Sequence, residues 1–437
     1  MNMNTQQRLL QSLKKFQDQL SEREKEALSV ILPKNSLFEE NLANFQCLPS
    51  DRILTEEERD ILHELDSSDL DTSHNTLRSH TFMIMKATRL CNLRCTYCHS
   101  WRDDPSQRMK FRVLAKATRD ILKAANVNQV DFVWHGGEVT LLPISFFKKA
   151  LWLQNYFRSR NQVISNSLQT NATRLSDEWI SFIKANKISV GVSLDGPPEI
   201  HDRRRLNKFG APTSQDVLKG IQKLKDENIP FGVLVVVDRD VVEYGPDRLL
   251  DYLTGLGIQG VALLNAIPDN TDNTDRQIYL PWPQFVDFLE ELFVVWWSDY
   301  KDKINIRELQ SLVQNVDNGR ASVCEFSGNC MGQFLTIEAD GRVSACDKYI
   351  GDQDFTFGNL LQADLPSMLK NSSNLDLAKV DVNNKMLNMS KCKYFKYCFG
   401  GCPHDSRLNE LNIEHWDSRC CGLSSLIDKI KECSTYI

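Results

Sequence analysis

The sequence predicts an α/β fold: a partial (β/α)6 TIM barrel with an N-terminal helical extension and a C-terminal cysteine-rich domain. Three observations predict it. Six short runs rich in Val, Ile, Phe and Leu recur between residues 81 and 266, each of a length suited to a buried parallel strand. A helical stretch follows each run, and that alternation builds parallel sheets. Past residue 305 the alternation stops and cysteines crowd the chain. Six units rather than eight leave a barrel open along one side, a lateral mouth wide enough for a large substrate.

Residues 1–78 form the extension. Leu9, Leu13, Phe16 and Leu20 recur at helical spacing. Ser21 with Glu24, and Thr55 with Glu58, are capping-box pairs that start two further helices. The polar runs 66–69 and 71–75 read as a linker. Residues 79–305 form the barrel, with strands at 81–87, 130–134, 163–169, 188–194, 231–237 and 260–266. Helices are predicted near 107–124, 144–159, 176–186, 214–228, 245–255 and 282–302. Loops at the C-terminal ends of such strands carry active sites. Residues 306–437 form the last domain. Phe334–Glu338 and Arg342–Cys346 flank the turn Ala339-Asp340-Gly341, a hairpin signal. The rest of this stretch reads as loop, short of apolar runs and held together by metal sites.

The 437 residues carry a net charge of −6 with no Lys/Arg-rich run, which argues against a nucleic-acid partner. The N-terminus lacks the apolar core of a signal peptide, and the longest apolar run, Phe293–Trp297, is too short to span a bilayer. A cytoplasmic protein without membrane contact is expected. Its 13 cysteines then point to metal or redox work rather than to disulfides.

Cys91, Cys95 and Cys98 lie directly after the first strand as C-x3-C-x2-C. Structural zinc wants four closing ligands, and an ordinary [4Fe–4S] cluster wants one cysteine per iron. Three thiolates leave one iron open to a reacting ligand. This run, with Tyr97 before the third cysteine, resembles the signature of the radical S-adenosylmethionine (SAM) enzymes. The resemblance implies a [4Fe–4S] cluster on the three cysteines, SAM on the open iron, and a 5′-deoxyadenosyl radical that abstracts hydrogen. It also implies SAM contacts. Gly136, Gly137 and Glu138 close the second strand, the glycines for close backbone approach and Glu138 or nearby carbonyls as acceptors for the SAM ammonium. Gln169 and Asn171 end the third strand and Ser193 the fourth. His201-Asp202-Arg203-Arg204-Arg205 matches H-D-x-x-R, whose last arginine, here Arg205, clamps the carboxylate with a guanidinium fork. Leu264 is the adenine contact.

Downstream, Cys330-x10-Gly341-x4-Cys346, Cys392-x5-Cys398-x3-Cys402 and the pair Cys420-Cys421 resemble the SPASM domain of radical SAM peptide and protein maturases. By that resemblance Cys324, Cys330, Cys346 and Cys402 hold one auxiliary [4Fe–4S] cluster, and Cys392, Cys398 and Cys420 hold a second. Met389 stands where the pattern has a further cysteine. The second cluster therefore has a substitute ligand (Cys421, Asp405 or Asp381), keeps an open iron, or is absent. A zinc reading lacks the C-x2-C hooks of zinc ribbons. Asp347, directly after Cys346, falls where related maturases place a general base. The runs Trp134–Glu138 and Cys346–Asp352 look most like maturases of ribosomally made peptides (RiPPs), including those that form cyclophanes by joining an aromatic ring to a β-carbon. The expected partners are a precursor peptide and an external electron donor of the flavodoxin or ferredoxin type. An anaerobic sulfatase maturase, turning Cys or Ser into formylglycine, and a thioether-forming maturase are the alternatives.

Overall fold

A computed structural model describes residues 49–70, 77–98, 100, 104–267, 278–319, 322–328, 330–349 and 351–434. The helical pattern at 9–20, the Ser21–Glu24 pair and the polar run 71–75 lie outside these residues. The strands are β1 (His80–Thr88), β2 (Gln129–Gly136), β3 (Val163–Thr170), β4 (Ser189–Ser193), β5 (Phe231–Val237), β6 (Gly260–Asn265), β7 (Asn305–Ile306), β8 (Phe334–Ile337), β9 (Arg342–Ser344) and β10 (Thr356–Asn359). They form one sheet in the order β10-β9-β8-β1-β2-β3-β4-β5-β6-β7. β1 to β7 pair in parallel, each with the next.

Side chains alternate across this sheet. Met83, Met85, Phe132, Trp134, Ile164, Leu168, Val190, Val192, Val233, Val235, Val261 and Leu263 point to one face and are buried in a core shared with the helices. The opposite face of β1–β6 presents Ile84, Val133, Gln169, Leu234 and Leu264, which are only half-buried. That inner face is where function can sit.

Local signals start the helices. Thr55 and Glu58 exchange both capping-box bonds, at 2.9 and 3.3 Å, at the head of Glu56–Ser67. Ser176 accepts from Trp179 N at 3.2 Å to open Asp177–Asn186. The barrel helices Phe111–Lys123, Ile144–Phe157, Asp177–Asn186, Ser214–Asp226, Pro246–Gly255 and Trp282–Val295 fall where the alternation places them. Two short helices, Pro198–Arg204 and Arg239–Tyr244, were not expected.

The last stretch departs from expectation in two ways. It is helical rather than loop-rich, with Arg307–Asn318, Leu365–Asn371, Ser373–Met389, Pro403–Asn412 and Ser424–Ser434. Ser373–Met389 buries only Leu375, Ala378, Val382 and Met389, so its apolar stripe is too thin to read from sequence. The β8–β9 hairpin forms as its turn predicts, and β8 also lies parallel to β1, pairing Phe82 with Phe334 and Met85 with Ile337. The two phenyl rings stack at 4.5 Å. The cysteine-rich region thus continues the barrel's sheet.

Candidate active site

The loop Cys91–Cys98 leaves the C-terminal end of β1 and is tied down on two sides. Arg94 N donates to Leu206 O at 2.7 Å and Thr96 N to Arg204 O at 3.0 Å. From β2, Gly137 N donates to Thr88 O at 2.6 Å and Glu138 N to Leu90 O at 2.7 Å. The glycine pair is explained by that approach. A Cβ on Gly136 would lie 2.3 Å from Thr88 O, and one on Gly137 would lie 2.2 Å from Leu90 O. The close contact the glycines permit is to the stretch Thr88–Leu90 that leads into the cysteine loop.

Glu138 belongs to the same junction. It is 1% exposed, and its Oε1 accepts from Thr140 N (3.0 Å), Thr140 Oγ1 (2.6 Å) and Thr170 Oγ1 (2.7 Å). Its Oε2 accepts from Asn171 N at 2.7 Å. The carboxylate fastens the ends of β2 and β3 together. Asn171 in turn donates to Asn92 Oδ1 at 3.1 Å and lies 3.9 Å from Cys91 Sγ, so β3 touches the cysteine loop directly. Gln169 donates to Ser193 Oγ at 2.9 Å, joining the inner faces of β3 and β4. Leu264 lies half-buried on the same face of β6, paired with Val236.

Asp195 is the residue that sequence reasoning left off the site. Its carboxylate accepts from Arg205 Nε (2.8 Å) and Nη2 (3.1 Å), from Val236 N (3.0 Å) and from Tyr97 Oη (2.5 Å). Burial alone would raise its pKa, but Arg205 outweighs that and holds it below the usual carboxylate range. Arg205 is 6% exposed, and its Nη1 lies 4.0 Å from Cys95 Sγ. Its fork is thus closed on Asp195, so the expected carboxylate clamp is, in this structure, a buried bidentate ion pair behind the cysteine loop. The rest of the H-D-x-x-R run is scaffold. His201 is fully buried against Asp195 N and Thr213, and Asp202 accepts from Thr213 N, Ser214 N and Ser214 Oγ. The run Ser193-Leu194-Asp195-Gly196 was the available signal for Asp195.

Asp347 reaches across to the inner face of β1 and β2. Its carboxylate forms an ion pair with Lys86 Nζ and lies 4.0 Å from His135 Nε2. Lys86 Nζ also donates to His135 Nδ1 at 3.0 Å, which assigns the imidazole proton to Nε2, on the Asp347 side. Burial, and then Lys86, push His135 down to about 4, so the ring is neutral near pH 7. Lys86 is 7% exposed by side chain, whereas Asp347 and His135 are 34% and 32% exposed. Lys86 carries no motif of its own, whereas His135 lies within the run Trp134–Glu138, which was the available signal for it.

The thiols fall into three groups. Cys91, Cys95 and Cys98 interact electrostatically with one another; burial first pushes Cys91 and Cys95 up to about 12, helped at Cys91 by Glu138 and then Cys98, and at Cys95 by the other two thiols. Cys324, Cys330, Cys346 and Cys402 form the second group. Lys348 Nζ stands 3.8 Å from Cys402 Sγ, 2.8 Å from Asp405 Oδ2 and 3.2 Å from Glu325 Oε1, a half-buried cation beside latent thiolates. Cys392, Cys398 and Cys420 form the third, with Cys421 beside them. Among the described residues no three His, Cys, Asp or Glu side chains converge where one metal ion could be held. Grouped, all-sulfur donors are the ligand type that iron–sulfur clusters take.

The radical SAM superfamily pattern matches residues 85–244, and the SPASM iron–sulfur cluster-binding domain matches residues 319–403. A cysteine-type anaerobic sulfatase-maturating enzyme of Clostridium perfringens is 30% identical over 331 residues, covering 74% of this chain and 88% of that protein. The chain belongs to the radical SAM enzymes. Its cofactors are SAM and iron–sulfur clusters. A serine-type anaerobic sulfatase-maturating enzyme of Bacteroides thetaiotaomicron is 27% identical over 347 residues, covering 74% of this radical SAM enzyme and 82% of that one. The solved structure of native anSMEcpe with bound AdoMet and Kp18Cys peptide superposes with a TM-score of 0.71 at 26% identity, covering 82% of this chain and 99% of that one. Streptococcus suis SuiB bound to precursor peptide SuiA shares the fold, with a TM-score of 0.55 at 15% identity over 80% of this chain and 76% of that one. No helix among the described residues is long and apolar enough to cross a membrane.

Proposed function

We propose that this radical SAM enzyme is a maturase that oxidises a side-chain β-carbon in a peptide or protein, with Asp347 accepting the proton that leaves. The observation that carries this reading is the trio Lys86, Asp347 and His135 on the inner face of the barrel, where Lys86 is buried and both the carboxylate and the imidazole keep about a third of their surface exposed. When bound, SAM on the cluster of Cys91, Cys95 and Cys98 supplies the hydrogen-atom abstractor, and the auxiliary clusters supply an acceptor for the second electron. The chain's own residues do the rest. Glu138, Asn171 and the Asp195–Arg205 pair hold the cysteine loop in register with β2, β3 and β4. Lys86 fixes the Asp347 carboxylate, and the neutral His135 presents an N–H to its far oxygen. A carboxylate so held takes a proton from the substrate at the moment the carbon is oxidised.

Two products follow from that step. Oxidation of Cys or Ser to formylglycine is favoured by the relatives named sulfatase-maturating enzymes. There Asp347 takes the proton of the side-chain thiol or hydroxyl as the β-carbon becomes a thioaldehyde or aldehyde. A cross-link from the β-carbon to an aromatic ring, as in a cyclophane of a ribosomally made precursor, is favoured by the runs Trp134–Glu138 and Cys346–Asp352. There Asp347 takes the ring proton as aromaticity returns. Anaerobically reconstituted enzyme, SAM, a flavodoxin or ferredoxin donor and two peptide sets, one Cys- or Ser-containing and one rich in aromatic residues, separate these products by mass and fragmentation. Asp347→Asn should keep SAM cleavage and lose product with either set. Full product formation by Asp347→Asn removes the proton-acceptor role.

A further inference from the structure

The run from Met389 to Cys421 departs from the SPASM pattern, and the structure shows what fills the gap. Met389, at the place of the missing cysteine, is 2% exposed, and its sulfur would lie 2.9 Å from a Cβ on Gly400, inside the packing. Asp405 is committed elsewhere. Its carboxylate accepts from Lys348 Nζ at 2.8 and 3.1 Å and from His404 Nδ1 at 3.2 Å, within the group of Cys402 and Cys346. Asp381 pairs with Lys385 at 3.3 Å on the surface of its helix and is 40% exposed by side chain.

Cys421 differs from all three. It is 8% exposed, and its Sγ lies 3.3 Å from Cys398 Sγ. It is in side-chain contact with Cys420, which in turn contacts Cys392. Its backbone is pinned, since its carbonyl accepts from Trp282 Nε1 at 2.7 Å. Gly401 (φ +74°) makes room for it, because a Cβ there would meet Cys421 Cβ at 3.2 Å. Cys421 thus links the thiol of Cys398 to that of Cys420, and through Cys420 to that of Cys392.

We propose that Cys421 is the fourth protein ligand of the second auxiliary [4Fe–4S] cluster, with Cys392, Cys398 and Cys420, in place of the cysteine that Met389 replaces. This rests on the radical SAM/SPASM reading and adds that the second auxiliary cluster is closed by four thiolates, with no iron left open to substrate. It acts in electron transfer alone. Ligation of two irons of one cube requires the Cys398 and Cys421 sulfurs, 3.3 Å apart, to separate.

The test is metal content and Mössbauer spectra of anaerobically reconstituted full-length protein. Wild type should hold about twelve irons, three four-iron clusters. Cys421→Ala and Cys421→Ser should lose about four of them, or convert that cluster to a three-iron form, while Asp381→Asn and Cys433→Ser match wild type. Adding Met389→Cys to Cys421→Ala should restore the full iron count, which a variant that merely misfolds does not do. Iron lost in the single variant and not regained in the double overturns the assignment, as does a Cys421→Ala protein with wild-type iron and spectrum. A Cys398–Cys421 disulfide found by peptide mapping of the reconstituted protein also overturns it. A wild type holding about eight irons defeats the proposal and leaves the maturase reading standing, whereas a protein that binds no iron defeats that reading itself.

Discussion

Replacing Asp195 by asparagine tests the scaffold behind the cysteine loop. The carboxylate is 1% exposed and accepts four hydrogen bonds, two of them from a guanidinium that is 6% exposed. The substitution keeps the shape but leaves Arg205 charged and buried without its counter-ion. Removing one partner of a buried pair costs about 3–5 kcal/mol, most of it the stranded charge. Pairing Asp195→Asn with Arg205→Met removes that charge, so the double variant should regain at least about 2 kcal/mol over the single one. Anaerobic urea unfolding followed by circular dichroism measures all four corners of the cycle. The sign of the pH dependence is set by Asp195 lying below its unfolded pKa: its contribution is present above about pH 4 and is lost as pH falls through the folded value. The gap between wild type and Asp195→Asn should therefore be constant from pH 8 to 5. An Asp195→Asn protein within about 1 kcal/mol of wild type, or a double variant whose loss is the sum of the singles, refutes this reasoning.

Other perturbations have equally direct outcomes. Gly137→Ala sets a Cβ 2.2 Å from Leu90 O, against backbone that must move by about 1 Å to reach ordinary contact, so iron at the N-terminal triad should fall by at least half on metal analysis. Lys86→Met should leave 5′-deoxyadenosine formation in place and cut peptide product at least about tenfold, about 1.4 kcal/mol, seen as a changed ratio of the two by chromatography. His201 and His135 are both pushed down to about 4, chiefly by burial, so the unfolded chain takes their protons first. Stability should fall as pH drops from 7.5 to 5.5, by roughly 1.3 kcal/mol per histidine, and His201→Gln should show about half the slope in urea titrations.

The barrel was legible because parallel strands buried on one face and packed under helices leave dense apolar runs such as Phe231–Val237. The three N-terminal cysteines were legible because their spacing is local. What lay hidden was long-range. Glu138 and the two glycines look like ligand-facing groups in a linear motif, yet they serve contacts with Thr88, Leu90 and Asn171 that only the parallel register creates. Lys86 and His135 are ordinary strand residues until Asp347 arrives from far along the chain. The helix Ser373–Met389 hid because its buried face is thin, although Ser372, which accepts from Leu375 N at 3.2 Å, offers a readable cap. Asp195 sat within a run already noticed, and its role needed Arg205 and Tyr97 placed on either side of it.

The measurement that bears most directly on the whole account is the joint yield of 5′-deoxyadenosine and oxidised peptide from air-free protein given SAM and reductant. Wild type should form both, and protein with Cys91, Cys95 and Cys98 changed to alanine should form neither while keeping its auxiliary iron. Product released by the triple variant, or a wild type that never cleaves SAM, contradicts it.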